Sequence, residues 1–146
     1  MLRRFDRWTW AWLTLSLVLA LHVAEEVMNG TLAFYRGLSD FVMDYMPFVK
    51  LPPFRYEVWL VDLIGASLLL IAMTWLVHRR RGPMRLASYV VATFAAANGM
   101  MHILMSMAAQ QLLPGVVTSP LILAAALFLL LSIPADEDTQ NVAAAP

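Results

Sequence analysis

Four long apolar runs, separated by more polar segments, dominate the pattern of hydrophobic and polar residues along the chain. They cover residues 8–27, 58–77, 86–107 and 116–133. The hydrocarbon core of a bilayer is about 30 Å thick and takes about 20 helical residues to cross, with a range of about 17–25. Because a backbone in hydrocarbon must satisfy its own hydrogen bonds, each run is expected to be a helix. The pattern predicts an all-α integral membrane four-helix bundle, with residues 1–133 as one transmembrane domain.

The long connection between the first two runs is not plainly hydrophilic. Ser39 is a typical N-cap residue and predicts a short helix that continues to Met46, with an apolar face. One interpretation is an interfacial helix that rests on the membrane surface. The other is a lid over a site between the spans.

Composition and charge restrict the class of protein. The chain is 61% hydrophobic and 14% charged, with a mean hydropathy of +0.69, whereas ordinary soluble domains are about 45–50% apolar and about 25% charged. Lys and Arg number 10 and Asp and Glu number 10, so the net charge is zero, and no basic field is present to hold nucleic acid. The absence of cysteine excludes disulfides, thiolate metal sites and a cysteine nucleophile.

The positions of the arginines predict the orientation. Arginines cluster at the N-terminus and in the connection between the second and third runs, and these two ends lie on one side of a four-span protein. Both termini are therefore placed in the cytoplasm, and the protein is expected in the cell membrane with several spans. The acidic, Ala-rich tail, residues 134–146, is expected to be disordered. The arginines concerned are Arg3, Arg4, Arg7, Arg79, Arg80, Arg81 and Arg85.

The first run has a second interpretation as a secretory signal peptide, with Val18-Leu19-Ala20 as a passable cleavage site. Trp8, Trp10 and Trp12 are more typical of an interfacial anchor. The membrane-span interpretation is therefore preferred.

Six ionisable or amide side chains lie within apolar runs, where a central charge costs about 2.5–3.5 kcal/mol on insertion scales. Residues three and four apart share a helix face, so the polar groups of the first run form one stripe and those of the third form another. At about 1.5 Å per residue, all three runs place polar groups within about 10 Å of the non-cytoplasmic boundary. The residues are His22, Glu25, Glu26, Asp62, Asn98 and His102.

These residue types suit a divalent metal such as zinc, iron or manganese. His22, Glu25 and His102 are the predicted ligands, with Glu26 as the general base. A bound metal would activate a water as nucleophile. The same set could instead perform metal-free acid–base catalysis on an apolar, lipid-derived substrate, with Asn98 orienting a substrate oxygen. Asp62 belongs to the predicted site by depth alone and could equally be a polar clasp between helices.

Two other classes of function stay open. A small proton or metal-ion transporter would use the same intramembrane acids and histidines, and would require a homo-oligomer. Copper(I) is a further candidate ion, because three methionines lie near His102: Met100, Met101 and Met105. Methionines at such positions are more often ordinary packing residues. The third class is non-catalytic packing or partner binding, which is disfavoured because a hydrogen bond between spans contributes only about 0.6 kcal/mol.

Three sequence elements are similar to those of the HXXEE family of small membrane proteins. The first is His22-Val23-Ala24-Glu25-Glu26, the second is Asn98-Gly99-Met100-Met101-His102, and the third is Pro114-Gly115-Val116-Val117-Thr118. The resemblance covers about residues 22–131 and implies a multi-span helical membrane protein with a His, Glu and Asn site. It implies no established reaction and does not include Asp62. Thr118 is expected to satisfy the start of the last helix.

Overall fold

Four helices account for most of the described chain. The computed structural model describes residues 5–30, 36–37, 40, 43–46, 48, 55–79 and 82–134, and this part of the chain contains no strand. The helices are α1 (Arg7–Met28), α2 (Tyr56–His78), α3 (Pro83–Ala109) and α4 (Ser119–Leu130). The prediction of an all-α protein is confirmed for these residues.

The helices begin where local chemistry favours it. Asp6 caps α1, because its Oδ1 accepts hydrogen bonds from Thr9 N at 2.9 Å and Thr9 Oγ1 at 2.7 Å. Pro83 opens α3, at a position where the missing N–H costs nothing. α3 ends at Gln110, whose φ of 52° is left-handed and terminates the helix.

Contacts at the N-terminal end of α1 show that its neighbours α2 and α4 run in the opposite direction. The ring of Phe5, just before α1, lies 4.9 Å from the ring of His78, the last residue of α2. The guanidinium of Arg7 lies 5.8 Å from the centre of the Phe128 ring, near the end of α4. The end of α1 and the starts of α2 and α4 therefore lie at the same end of the molecule.

α3 runs parallel to α1. Near the start of both helices, Trp8 Nε1 donates a hydrogen bond of 2.9 Å to Ser88 Oγ. Closer packing links α3 to α4 and α4 to α1, so α4 lies between the other two. The polar residues near the end of α1 and the end of α3 are consequently held at the same level, beside the start of α4.

Three of the four helices are long and apolar enough to cross a membrane: Arg7–Met28, Glu57–His78 and Pro83–Ala109. The fourth predicted span, 116–133, is helical only over the 12 residues of α4, a length of about 18 Å. Residues 114–118 form a turn instead. Gly115 has a φ of +86°, which is incompatible with a helix beginning there.

The tryptophan anchor prediction is wrong for two of its three residues. Trp8 and Trp12 are 5% and 1% exposed and belong to the apolar core, whereas Trp10 is 54% exposed. Burial is tolerated because each indole N–H has a partner: Ser88 Oγ for Trp8 and the Leu70 carbonyl, at 2.9 Å, for Trp12. The core around them is built from all four helices and includes Ala11, Leu15, Val77, Ala92, Ala95, Ile122, Ala126 and Leu129.

Some predictions fall on residues outside the described ranges. These are the arginines Arg3, Arg4, Arg80 and Arg81, the tail from residue 135 onward, and Ser39, Phe41 and Val42 of the short helix predicted from Ser39 to Met46.

Gly99 lies at a close approach of α3 to α4. A Cβ at Gly99 would lie 3.1 Å from the Ser119 carbonyl oxygen and 3.4 Å from Ile122 Cβ. Leucine at this position should overpack the helix contact and lower the free energy of unfolding by about 1–3 kcal/mol. Gly65→Leu in α2 is the matched control, because a Cβ there meets nothing within 4 Å. Thermal melts in detergent should show a lower Tm for Gly99→Leu only; equal melting of the two variants would contradict the contact.

Candidate functional site

Two histidines and one glutamate from α1 and α3 form a buried cluster. His22, Glu26 and His102 are 3%, 2% and 3% exposed. Glu26 Oε1 lies 3.4 Å from His102 Nε2 and 3.9 Å from His22 Nε2. One possible ligand atom from each residue lies within 4.8 Å of the other two. We refer to these three residues as the His–Glu cluster.

The sequence folds this way because helical spacing and parallel helices cooperate. His22 and Glu26 are four residues apart on α1 and therefore share a face. His102 reaches the same level from α3, and its ring meets the His22 ring edge-on, with centroids 4.8 Å apart and planes at 79°. Asn98, one turn earlier on α3, places its Nδ2 3.3 Å from His22 Nε2.

A backbone carbonyl orients the His102 ring. Its Nδ1 lies 2.8 Å from the Pro114 carbonyl oxygen. A carbonyl can only accept, so Nδ1 carries the hydrogen, and Nε2 of the neutral ring presents a lone pair towards Glu26. Among the described residues no group hydrogen-bonds to this buried Nε2. A nitrogen lone pair therefore faces a carboxylate at 3.4 Å, an arrangement that a cation or a shared proton would stabilise.

The Glu25 carboxylate lies away from the cluster and binds the turn before α4. It accepts hydrogen bonds from Val117 N at 3.1 Å, Thr118 N at 2.8 Å and Thr118 Oγ1 at 2.5 Å. A carboxylate at a helix N-terminus is also favoured by the helix dipole. The sequence predicts Glu25 as a ligand and Glu26 as the general base, whereas the structure places Glu26 beside both imidazoles.

The turn of residues 114–118 packs directly on both histidine rings. A Cβ at Gly115 would lie 2.7 Å from His102 Nδ1 and from His22 Cε1, and the φ of +86° is itself unfavourable for other residues. Thr118 makes no capping bond to α4, contrary to expectation. Its Oγ1 lies 2.7 Å from His22 Nδ1 instead.

Sequence reasoning therefore missed Pro114, Gly115 and Thr118 as parts of the site. The available signal was the Pro-Gly-x-x-Thr element itself. This element marks the family resemblance, but no periodicity or charge in the sequence connects it to the histidines.

The remaining predicted residues do not join the cluster. Asp62 lies on an exposed part of α2, and no described hydrogen bond or ion pair connects it to His22, Glu26 or His102. The copper(I) candidates Met100, Met101 and Met105 are 45%, 44% and 38% exposed, so their side chains project outward from α3.

Comparison with known proteins gives a family but no function. A family model described as a protein of unknown function with HXXEE motif matches residues 12–130. The chain therefore belongs to this family, as the three sequence elements indicated. No curated protein and no solved structure matches the chain.

Gly115→Ala should disturb both histidine rings. The substitution adds a left-handed alanine, which costs about 1–2 kcal/mol, and a collision with both rings. Gly30→Ala separates the two effects, because Gly30 has a φ of +68° but nothing within 4 Å of a Cβ. The Tm should fall further in Gly115→Ala, and only this variant should shift the NMR signals of the His22 and His102 rings. Unchanged ring signals in Gly115→Ala would contradict the packing.

Proposed function

We propose that this HXXEE-family protein is a membrane-embedded, metal-dependent enzyme that acts on a membrane-soluble, lipid-derived substrate. His22, Glu26 and His102 are the proposed ligands of one divalent ion, zinc, iron or manganese. The observation that carries the proposal is the convergence of two imidazole Nε2 atoms and one carboxylate oxygen in a buried cluster.

The dimensions of the cluster support a metal. Two ligand atoms about 2.0–2.1 Å from a tetrahedral zinc ion lie about 3.4 Å apart. The two separations from Glu26 Oε1 are 3.4 and 3.9 Å, and all three possible ligand atoms lie within 4.8 Å of one another, so a modest contraction of the cluster would bring them to this spacing. Two histidines and one glutamate are also a ligand set of catalytic zinc sites that leave a position open. Two histidines and a carboxylate serve in the same way for non-haem iron.

A bound divalent ion would supply Lewis-acid activation of a water or of a substrate oxygen. The chain's own groups would do the rest. The Asn98 amide contacts His22 Nε2 at 3.3 Å, a long hydrogen bond that is readily exchanged. When Nε2 is otherwise engaged, this amide is free to orient a substrate oxygen. Burial of the cluster keeps bulk water away from the reacting groups.

The setting favours a substrate that dissolves in the membrane. His22 and His102 lie six and seven residues before the ends of α1 and α3, which corresponds to about 9–10 Å. An open cavity of about 370 Å³ adjoins this end of α3 and the following turn, within the size range of ligand pockets. Apolar side chains and two amides are suited to an amphiphile; the lining residues include Ile103, Met107, Gln110, Gln111, Leu112 and Val116. With the cytoplasmic termini predicted from the arginines, this end of the molecule lies at the non-cytoplasmic face.

Metal content is the direct test. Detergent-purified protein should carry about one divalent ion per chain, measured by inductively coupled plasma mass spectrometry after loading. His22→Ala, His102→Ala and Glu26→Gln should each weaken binding beyond the 10–100-fold typical of losing an outer partner of a ligand. His78→Ala is the control, since His78 lies at the opposite end of the molecule. Retained binding in the three cluster variants would refute the ligand assignment.

Turnover tests the enzyme itself. Metal-loaded protein incubated with lipid extracts should deplete one lipid-derived species and form a product, both followed by mass spectrometry. Glu26→Gln should abolish the conversion and His78→Ala should preserve it. Turnover that needs Glu26 but no metal would replace the proposal with acid–base catalysis. Absence of turnover, together with ion flux into vesicles that is lost in His102→Ala, would replace it with transport.

A further inference from the structure

The hydroxyl group of Thr118 contacts one glutamate and one histidine of α1. Its Oγ1 lies 2.5 Å from Glu25 Oε2 and 2.7 Å from His22 Nδ1. The Oγ1 atom is thus shared by a carboxylate and an imidazole from successive turns of α1. A hydroxyl has only one hydrogen to donate, so the direction of each bond can be worked out.

The Thr118 hydroxyl donates its hydrogen to the Glu25 carboxylate. Two backbone N–H groups, of Val117 and Thr118, already donate to this carboxyl group, which favours its ionised, accepting form. It accepts the Thr118 O–H as well. The Thr118 oxygen must then accept from His22, and His22 Nδ1 must be the donor.

We infer that Glu25 and Thr118 are positioning residues that hold neutral His22 in the tautomer with hydrogen on Nδ1, leaving the Nε2 lone pair directed at the cluster. The Asn98 amide, which donates towards His22 Nε2 at 3.3 Å, agrees with this assignment. The imidazole tautomer that predominates in water carries its hydrogen on Nε2, so the protein has to impose the other one. The importance of this tautomer for metal binding rests on the proposed function; the tautomer itself does not.

The turn of residues 114–118 orients the rings of both histidines. Pro114 fixes His102 through its carbonyl, and Thr118, four residues later, fixes His22 through its hydroxyl. Metal-binding histidines in proteins usually donate their other ring N–H to a carboxylate or carbonyl, which fixes tautomer and orientation. Here the carboxylate acts through an intervening hydroxyl, which gives Glu25 a purpose distinct from that of Glu26.

The test is nitrogen-15 NMR of histidine-labelled, metal-free protein at a pH where the rings are neutral. His22 should show a protonated Nδ1 and an unprotonated Nε2. Thr118→Val removes the hydroxyl at nearly constant shape and should shift His22 towards the Nε2-protonated form. Thr118→Ser restores the hydroxyl and should restore the wild-type signals. His102, held by Pro114, should be unchanged in both variants and reports that the fold is intact; His78→Gln and His102→Gln assign the signals.

Either of two results would overturn the inference. One is a wild-type His22 protonated on Nε2, which needs no variant at all. The other is an unchanged His22 tautomer in Thr118→Val with an intact His102 signal. Glu25→Gln, which removes the ionised acceptor, provides a second variant that should also raise the Nε2-protonated fraction.

Metal binding separates this inference from the proposed function. Zinc affinity should fall about 10–100-fold in Thr118→Val and recover in Thr118→Ser. A wild-type protein that shows the expected tautomer but binds no metal would leave the positioning role intact and refute the metal site. Metal binding with His22 protonated on Nε2 before loading would do the reverse.

Discussion

The hydrogen bonds from Glu25 to the turn before α4 are the interaction on which the geometry of the site depends. The carboxylate accepts three hydrogen bonds, two of them from backbone N–H groups that have no acceptor within a helix. The positive end of the α4 dipole also offsets part of the free-energy cost of burying its charge. Buried backbone polar groups outside regular helices need partners from the rest of the protein. Once this turn is fixed against α1, the Pro114 carbonyl lies within hydrogen-bonding distance of His102. The Thr118 hydroxyl lies within hydrogen-bonding distance of His22.

The two ends of the molecule differ in the chemistry of their side chains. At one end tryptophans, alanines and leucines pack the four helices together, and the indole N–H groups of Trp8 and Trp12 donate to α3 and α2. At the other end the same helices carry ionisable groups that packing alone would not justify. The apolar end holds α1 and α3 parallel and in register, which is what brings His22 level with His102.

The helices and their approximate bounds could be predicted from hydropathy, because three of them are long and apolar enough to cross a membrane. The sequence also identified the level at which the polar residues gather, since rise per residue is constant. It could not decide between Glu25 and Glu26. Adjacent residues on a helix point about 100° apart, and only the rotation of α1 relative to α4 determines which one faces the histidines. Likewise, hydropathy extended the last span through residues 116–118, because a turn built from Val116 and Val117 is as apolar as a helix.

α4 has a consequence for the lipid around the protein. Its 12 residues span about 18 Å, while α1 and α3, with 22 and 27 residues, span about 33 and 40 Å. A short hydrophobic element beside long ones is accommodated by local thinning of the bilayer. In a membrane, the lipid on the α4 side of the His–Glu cluster would be drawn down towards the start of α4, so that headgroups meet the protein at the depth of the histidines.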